Sequence, residues 1–171
     1  MGAGPAVEPG PMLQLRASVC VDASPEKVWA VLSHLEAITE WVPAIRRAHC
    51  PAARRGVGAA RVCELDHVTI VETIEDWVEG RRLTYRGEGA PLMRWARNRW
   101  SVEAVGAQTL VVSQSEVEFK WGWLGRVLEL PMRFVFRRLG RNSLAALKYF
   151  VERGERAPRS LAPLAHDSVV C

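Results

Sequence analysis

The chain lacks the sequence signatures of several common protein classes. No apolar run approaches the roughly 18 residues that a membrane-spanning helix needs. No G-x-S-x-G elbow, H-E-x-x-H helix or Walker loop occurs, and without a Ser/His/Asp or metal-binding constellation hydrolytic chemistry is disfavoured. The Gly56-Val57-Gly58 segment lacks the third glycine of a dinucleotide fingerprint and precedes a strand, which favours a hairpin turn.

Cysteine is sparse, and no two cysteines form a recognisable motif. Cys20, Cys50, Cys63 and Cys171 include no C-x-x-C pair, and their spacing matches no zinc template. No signal peptide is recognisable in the sequence. We therefore expect four free thiols in a reducing, cytoplasmic compartment, and neither a metal ion nor a cofactor.

Tyrosine is also scarce, whereas tryptophan is abundant. The chain has two tyrosines beside seven tryptophans, and tryptophan supplies large, rigid apolar walls. The chain has 171 residues, of which 49% are hydrophobic. This length and apolar content suit one well-packed domain, and the chain is too short for two.

The last long segment, Trp123 to Gly154, has the periodicity of an α-helix. Apolar and small side chains recur at alternating four- and three-residue steps, which puts them on one face. This face contains Leu128, Met132, Val135, Leu139, Ser143, Ala146 and Phe150. Pro131 fits best in the first turn of the main helix, with Leu124 to Glu129 as a separate lead-in turn. No earlier segment is as long, so we expect the rest of the chain to wrap around this helix.

The opposite face of this helix is basic. Between Lys120 and Gly154 there are eight Lys and Arg side chains and two Glu. Two interpretations stay open: an ordinary solvated face, or a weak, salt-sensitive contact with an anionic membrane surface. In the second case the contact would use a cationic and aromatic rim, formed by Trp121, Trp123, Leu124, Arg126 and Arg133. We expect no nucleic-acid partner, and the sequence does not indicate an oligomeric state.

The N-terminal part of the chain predicts a tail, a strand and two short helices. Residues 1–11 are rich in Gly, Pro and Ala and predict a disordered tail. Leu13 to Val21 alternates apolar and polar residues, as a half-buried strand does. Ser24-Pro25-Glu26 starts a helix, with Ser24 as its cap, and a second short helix runs from Glu36 to Trp41.

The middle of the chain predicts only strands, joined by short turns. The six segments are Ile45 to Cys50, Ala60 to Leu65, Val68 to Trp77, Arg82 to Gly87, Arg94 to Val105 and Thr109 to Trp121. Short connections imply an antiparallel meander, so the order predicts an α+β fold in which a curved sheet packs against the final helix. We expect the domain to span residues 12–154 and residues 155–171 to form a disordered tail.

Two stretches of this chain resemble a known superfamily. Val21-Asp22-Ala23-Ser24-Pro25-Glu26-Lys27-Val28-Trp29-Ala30-Val31-Leu32, followed by Trp41-Val42-Pro43-Ala44-Ile45, is similar to the opening of START-like (SRPBCC) proteins, which include the polyketide cyclase/dehydrase and Bet v 1-type proteins. The resemblance implies the helix-grip fold: a seven-stranded antiparallel sheet around the C-terminal helix, with a cavity for an apolar or amphipathic small molecule between them. Members bind different ligands and some catalyse cyclisation, so the fold does not decide the function.

Candidate cavity residues follow from the more apolar face of each strand and of the final helix. They are Ile70, Glu72, Ile74, Leu83, Tyr85, Asn98, Trp100, Ser113, Ser115, Val117, Leu128, Met132, Val135 and Leu139. Glu72 is an acid on an apolar wall, either a general acid or base or one partner of a structural salt bridge. Tyr85 offers a hydroxyl to a ligand carbonyl or serves as an aromatic wall. Arg97 and Arg99 are expected on the outer surface.

Two hypotheses about function remain open. The first is a non-enzymatic binder or carrier of a hydrophobic small molecule, such as a lipid, quinone-like or polyketide-like compound. The second is a polyketide cyclase or dehydratase, in which Glu72, Tyr85 or a cavity arginine positions an enolisable poly-carbonyl chain. Convergence of two or more titratable groups in the cavity would favour the second, because proton transfer requires it.

Overall fold

The computed structural model describes residues 12–52, 54–120, 122–158, 160–167 and 171, without the side chains of 122–126 and 128. The strands are β1 (Met12–Val21), β2 (Arg47–His49), β3 (Ala60–Glu64), β4 (Thr69–Val78), β5 (Arg82–Glu88), β6 (Met93–Val105) and β7 (Gln108–Phe119). The helices are α1 (Pro25–Ser33), a 3₁₀ turn (Leu35–Ala37), α2 (Ile38–Trp41) and α3 (Gly122–Arg153). The described residues therefore form the predicted order of elements.

The strands form one antiparallel sheet whose outermost strands are β1 and β2. Its order is β1-β7-β6-β5-β4-β3-β2, so the first strand pairs with the last and the others form a meander. Shifts of register occur between Ile74 and Asp76 and between Met93 and Trp95, and bulges of this kind increase the bend of a sheet. The curved seven-stranded sheet around a long C-terminal helix is the helix-grip fold, as predicted.

One end of the molecule is filled by a packed core. The Ser24 side chain accepts a hydrogen bond from the Lys27 amide at 3.4 Å and caps α1. That helix buries Val28 and Leu32 against Leu144 and Leu147 of α3, and all four side chains are at most 4% exposed. This end is called the closed end below.

α3 differs from the prediction in where it begins. It runs without interruption from Gly122, and Pro131 lies inside it, rather than in the first turn of a separate main helix. A proline inside a helix removes the hydrogen bond to the carbonyl four residues earlier. Here that carbonyl belongs to Val127, whose side chain is 64% exposed, so water can take the place of the missing donor. No described helix is long and apolar enough to cross a membrane.

The segment after α3 packs on the domain, which the prediction of a disordered tail did not anticipate. Ala157 is 5% exposed, and the Ser18 amide of β1 donates to the Asp167 carbonyl at 2.7 Å. The Asp167 carboxylate pairs with Arg137 and lies 3.6 Å from Arg141. These partners are far apart in sequence, so local composition could not indicate the contacts. Residues 1–11 lie outside the described residues.

The prediction of four free thiols is wrong for two of the cysteines. Cys20 on β1 and Cys171 form a disulfide across a sequence separation of 151, whereas Cys50 and Cys63 are free. The sequence spacing gave no sign of the pair, because only the fold brings these two positions together.

Candidate functional site

A cavity of about 190 Å³ lies between the inner face of the sheet, α2 and the middle of α3. Its wall includes Trp41, Val42 and Ile45 beside the two short helices, and Ala90 and Met93 between β5 and β6. Leu139 lines the cavity although its side chain is 46% exposed, so the cavity reaches the surface along α3. This end of the molecule, where the cavity opens along the middle of α3, is called the open end below.

The strand residues predicted for the cavity are mostly found there. The structure places along its wall Ile70, Glu72, Tyr85, Asn98, Trp100, Ser113, Ser115 and Val117. On β6, Asn98 and Trp100 line the cavity, whereas Arg97 faces outward and pairs with Glu75 at 2.6 Å. Ile74 and Leu83 do not line the cavity; they are buried in the hydrophobic core together with Val28.

The face of α3 that lines the cavity differs from the predicted face. Phe136, Leu139, Gly140 and Ser143 line it, whereas Val135 is 49% exposed. Met132 packs instead on the small cluster of Leu13, Val117 and Phe119. Of the three predicted helix residues whose side chains are described, Leu139 alone lines the cavity, and the side chain of Leu128 lies outside the described residues. The helix has apolar residues on two neighbouring stripes, so periodicity alone could not select between them.

The main polar feature of the cavity wall is an ion pair between two adjacent strands. Arg61 of β3 lies directly opposite Glu72 of β4 in the sheet register. Its Nε donates to Glu72 Oε2 at 2.8 Å, its Nη2 contacts the same oxygen, and its Nη1 donates to the Leu35 carbonyl at 2.9 Å. The Arg61 side chain is 3% exposed and that of Glu72 is 12% exposed. Glu72 is therefore one partner of a buried salt bridge, as one of the two sequence interpretations held.

Arg61 was missed at the sequence level. Alternation along β3 places Arg61 and Cys63 on the same inward face, but an arginine is normally assigned to the solvent side. Pairing β3 with β4 as a hairpin would have put Arg61 opposite Glu72, and this pairing was the signal available in the sequence.

The groups around this ion pair have shifted proton affinities. Burial, together with the Glu72 carboxylate, raises the pKa of the Cys63 thiol to about 12. Burial also raises the pKa of the Tyr85 hydroxyl, whose oxygen accepts from Trp100 Nε1 at 3.4 Å. Burial has the largest single influence and would lower the pKa of Arg61, but the charge of Glu72, its hydrogen bond and the nearby Tyr85 and Cys63 together outweigh burial and raise that pKa. At neutral pH the thiol and the hydroxyl therefore keep their protons, and the guanidinium keeps its charge.

A second polar pair lies on the neighbouring strands. The Ser115 hydroxyl of β7 donates to Asn98 Oδ1 of β6 at 2.6 Å, and both residues line the cavity. Asn98 faces Tyr85 across the sheet register, so the two polar groups form adjoining parts of one wall. No cluster of three or more His, Cys, Asp or Glu side chains suited to a metal ion occurs among the residues that the structure describes.

The fold is similar to those of several solved structures at low sequence identity. An aromatase/cyclase (Zhui) from Streptomyces sp. R1128 matches with a TM-score of 0.73 and 17% identity, over 83% of this chain and 94% of that chain. A protein from Thermus thermophilus matches with a TM-score of 0.68 and 20% identity, over 81% of this chain and 97% of that chain. A START superfamily protein from Mycobacterium smegmatis matches with a TM-score of 0.63 and 16% identity, over 80% and 98%. At these identities the likeness shows the fold alone.

Comparison of sequences gives a more specific result for the family. A search of curated proteins found no match. Residues 12–152, however, match the family model described as polyketide cyclase/dehydrase and lipid transport, which covers nearly all of the described sheet and helices. The chain therefore belongs to the polyketide cyclase/dehydrase and lipid transport family.

Proposed function

We propose that this protein binds a compact hydrophobic small molecule in the cavity at its open end. The observation that carries the proposal is a mainly apolar wall in which the carboxylate of Glu72 is already paired with the buried Arg61. Such a wall gains free energy by removing an apolar ligand from water, at about 25 cal/mol per Å² of apolar surface buried. Membership of the family supports small-molecule binding in general and leaves the ligand unspecified.

The size of the cavity favours a small ligand. Pockets that enclose drug-sized molecules have volumes of about 300–1,000 Å³. The cavity here measures about 190 Å³, which suits one or two fused rings better than a phospholipid with two acyl chains. A compact aromatic or polyketide-like compound fits this volume.

A polyketide cyclase is the second candidate, because titratable groups do converge in the cavity. Glu72, Cys63 and Tyr85 all line it, and the Cys63 sulfur lies 3.6 Å from Glu72 Oε2. A general acid or base works best when its pKa is near the working pH, however, and the pKa values of the thiol and the hydroxyl are raised far above it. Binding without chemistry is therefore the function that these groups support best.

The first half of α3 supports a weak contact with an anionic membrane surface. Val127, Leu130 and Phe134 are 64%, 77% and 67% exposed. Arg133 and Arg138 are exposed on the same helix, and Arg138 forms no ion pair within the described residues. Exposed apolar groups beside cations match the interfacial and head-group layers of an anionic bilayer. The predicted rim residues Trp121, Trp123, Leu124 and Arg126 lie outside the described side chains.

Vesicle co-sedimentation tests this contact. We expect binding to phosphatidylglycerol vesicles at low salt that is lost at high salt and in Arg133→Glu plus Arg138→Glu. The control is Arg16→Glu plus Arg99→Glu, which changes the net charge by the same amount on the outer face of the sheet. This variant should keep most of the vesicle binding. Equal loss in both variants, or no binding at low salt, contradicts the contact.

The location of the protein in the cell remains a prediction. The sequence predicts the cytoplasm, but the Cys20–Cys171 disulfide favours a less reducing compartment, because cytosolic thiols are kept reduced.

Ligand binding can be tested by two variants of α3. Gly140 lines the cavity, and a Cβ built there would meet no heavy atom within 4 Å, so we expect Gly140→Leu to be tolerated and to occupy part of the cavity. Arg138→Leu adds the same side chain on the exposed part of the same helix. We expect native mass spectrometry to find a co-purified small molecule in the wild type and in Arg138→Leu but not in Gly140→Leu.

Fluorescence titration with 2-methylnaphthalene, an apolar two-ring probe, extends the test to protein that has lost its ligand. The wild type and Arg138→Leu should bind the probe, and Gly140→Leu should bind at least about tenfold more weakly. The thermal stability of Gly140→Leu should be unchanged or higher, since leucine in a helix is more favourable than glycine by about 1 kcal/mol. Absence of both a co-purified molecule and probe binding in the wild type would overturn the proposed function.

A further inference from the structure

The two carboxylate oxygens of Glu72 have different surroundings. Oε2 accepts hydrogen bonds from Nε of Arg61 at 2.8 Å and from Nη2 of the same arginine. It also accepts from the Cys63 thiol at 3.6 Å. Oε1 accepts no hydrogen bond from any residue that the structure describes. Since Glu72 lines the cavity and its side chain is only 12% exposed, one oxygen is fully used by protein donors and the other is left for a molecule inside the cavity.

The neighbouring strand leaves room beside this oxygen. Gly87 lies directly opposite Glu72 in the register of β4 and β5, and it lines the cavity. A Cβ at Gly87 would lie 3.2 Å from Ile70 Cγ2 and 3.5 Å from Glu72 Cγ, so any side chain would occupy the space next to the carboxylate. The next residue along this row is Ala96, which is also small. The row Glu72–Gly87–Ala96 is therefore a shallow floor on which a flat ring can lie.

The unpaired oxygen of Glu72 determines which ligand group can bind beside this floor. A carboxylate oxygen is an acceptor only, and an acceptor left unpaired in an apolar cavity is costly. An anionic ligand group would be repelled by Glu72, and the Arg61 guanidinium that could compensate is 3% exposed, with its hydrogen bonds directed to Glu72 and Leu35. A neutral hydroxyl satisfies Oε1 without adding a charge.

We propose that the ligand presents a neutral hydrogen-bond donor, of the phenol or enol class, to Glu72 Oε1 while its ring lies over Gly87. This inference rests on the proposed function and specifies the ligand class for the same cavity. Glu72 is then a specificity-determining residue, and no proton transfer is required of it.

Two probes of matched size and shape test the inference. 2-Naphthol and 2-methylnaphthalene differ only by a hydroxyl in place of a methyl group, and 2-naphthol is neutral at neutral pH. A hydrogen bond to a charged group stabilises by about 1.5–3 kcal/mol, so the wild type should bind 2-naphthol about ten- to hundredfold more tightly than 2-methylnaphthalene. Binding is measured by fluorescence titration at neutral pH.

A double variant separates this role from a structural role of the ion pair. Glu72→Gln alone leaves Arg61 buried without its charge partner and is expected to destabilise the fold. Arg61→Met plus Glu72→Met removes both charges and keeps similar volumes, a change that folded proteins commonly tolerate. The double variant should still bind 2-methylnaphthalene but lose the preference for 2-naphthol.

The possible results separate the inference from the proposed function. Equal binding of the two probes by the wild type, or an undiminished preference in the folded double variant, overturns the inference alone. Binding of neither probe by the wild type, together with the absence of a co-purified molecule, overturns the proposed function. A preference in the wild type that is lost in the double variant supports both.

Discussion

The closed end and the open end of the molecule use the same helix in different ways. In the C-terminal half of α3, Leu144, Leu147 and Val151 are at most 1% exposed and pack within the core that includes α1 and the sheet. In the N-terminal half, Leu130 and Phe134 are 77% and 67% exposed, and the residues that line the cavity lie in the middle of the helix, from Phe136 to Ser143. The C-terminal part of the helix therefore stabilises the fold, and its middle leaves space for a ligand.

The largest difference between the two ends should appear with aspartate substitutions. Leu147→Asp buries a carboxylate without a partner in the closed end and should lower the free energy of unfolding by more than about 4 kcal/mol, or prevent folding. Phe134→Asp places the same group in water at the open end and should change that free energy by less than about 0.5 kcal/mol. Urea denaturation measures both, and similar losses would refute the division of α3 into two halves.

The Arg61–Glu72 pair lies where the two ends meet, and its loss should have the next largest effect. Arg61→Met leaves the Glu72 carboxylate without its partner and should cost about 3–5 kcal/mol. Adding Glu72→Met should restore most of the loss, because no buried charge then remains. A double variant as unstable as the single one would show that packing of the arginine, rather than charge pairing, is what stabilises this boundary.

These two ends also differ in how far the sequence predicted them. Alternation along the strands was sufficient to place Trp100, Asn98 and Ser113 inside, because neighbouring strand residues face opposite sides of a sheet. The prediction was less successful for α3 and for Arg61. Two apolar stripes compete on the helix, and the burial of an arginine depends on a partner in another strand. Long-range contacts such as Cys20–Cys171 leave no local pattern at all.

The disulfide should contribute to stability beside the closed end. Cys20 lies next to Lys148 of α3, whose Nζ donates to the Cys20 carbonyl at 2.6 Å. Cys171→Ser removes the cross-link and should lower the free energy of unfolding by about 2–4 kcal/mol. Cys50→Ser, which changes a free cysteine, is the control. If the wild type loses no stability on reduction by a dithiol, the cross-link does not fasten the C-terminal segment in solution.

The last stability prediction concerns alkaline pH and the groups beside the Arg61–Glu72 pair. The unfolded Cys63 thiol loses its proton near its ordinary pKa of 9.0, whereas the folded thiol keeps it to about 12. The raised pKa of Tyr85 acts in the same direction. Stability from these groups is therefore complete below about pH 9 and declines above it, by at most about 1.4 kcal/mol per pH unit for each group. Cys63→Ala plus Tyr85→Phe should flatten this decline in urea denaturation between about pH 8 and about pH 11. An equal slope in the variant would exclude both groups as its source.

Hydrogen exchange with and without 2-methylnaphthalene tests most directly the claim that the ligand occupies the open end. At short labelling times, when local opening dominates over global unfolding, the ligand should protect amides in residues 88–96 and 134–143. Residues 25–33 and 144–153, which form the closed end, should show little change. Protection confined to the closed end, or equal protection at both ends, would contradict the account.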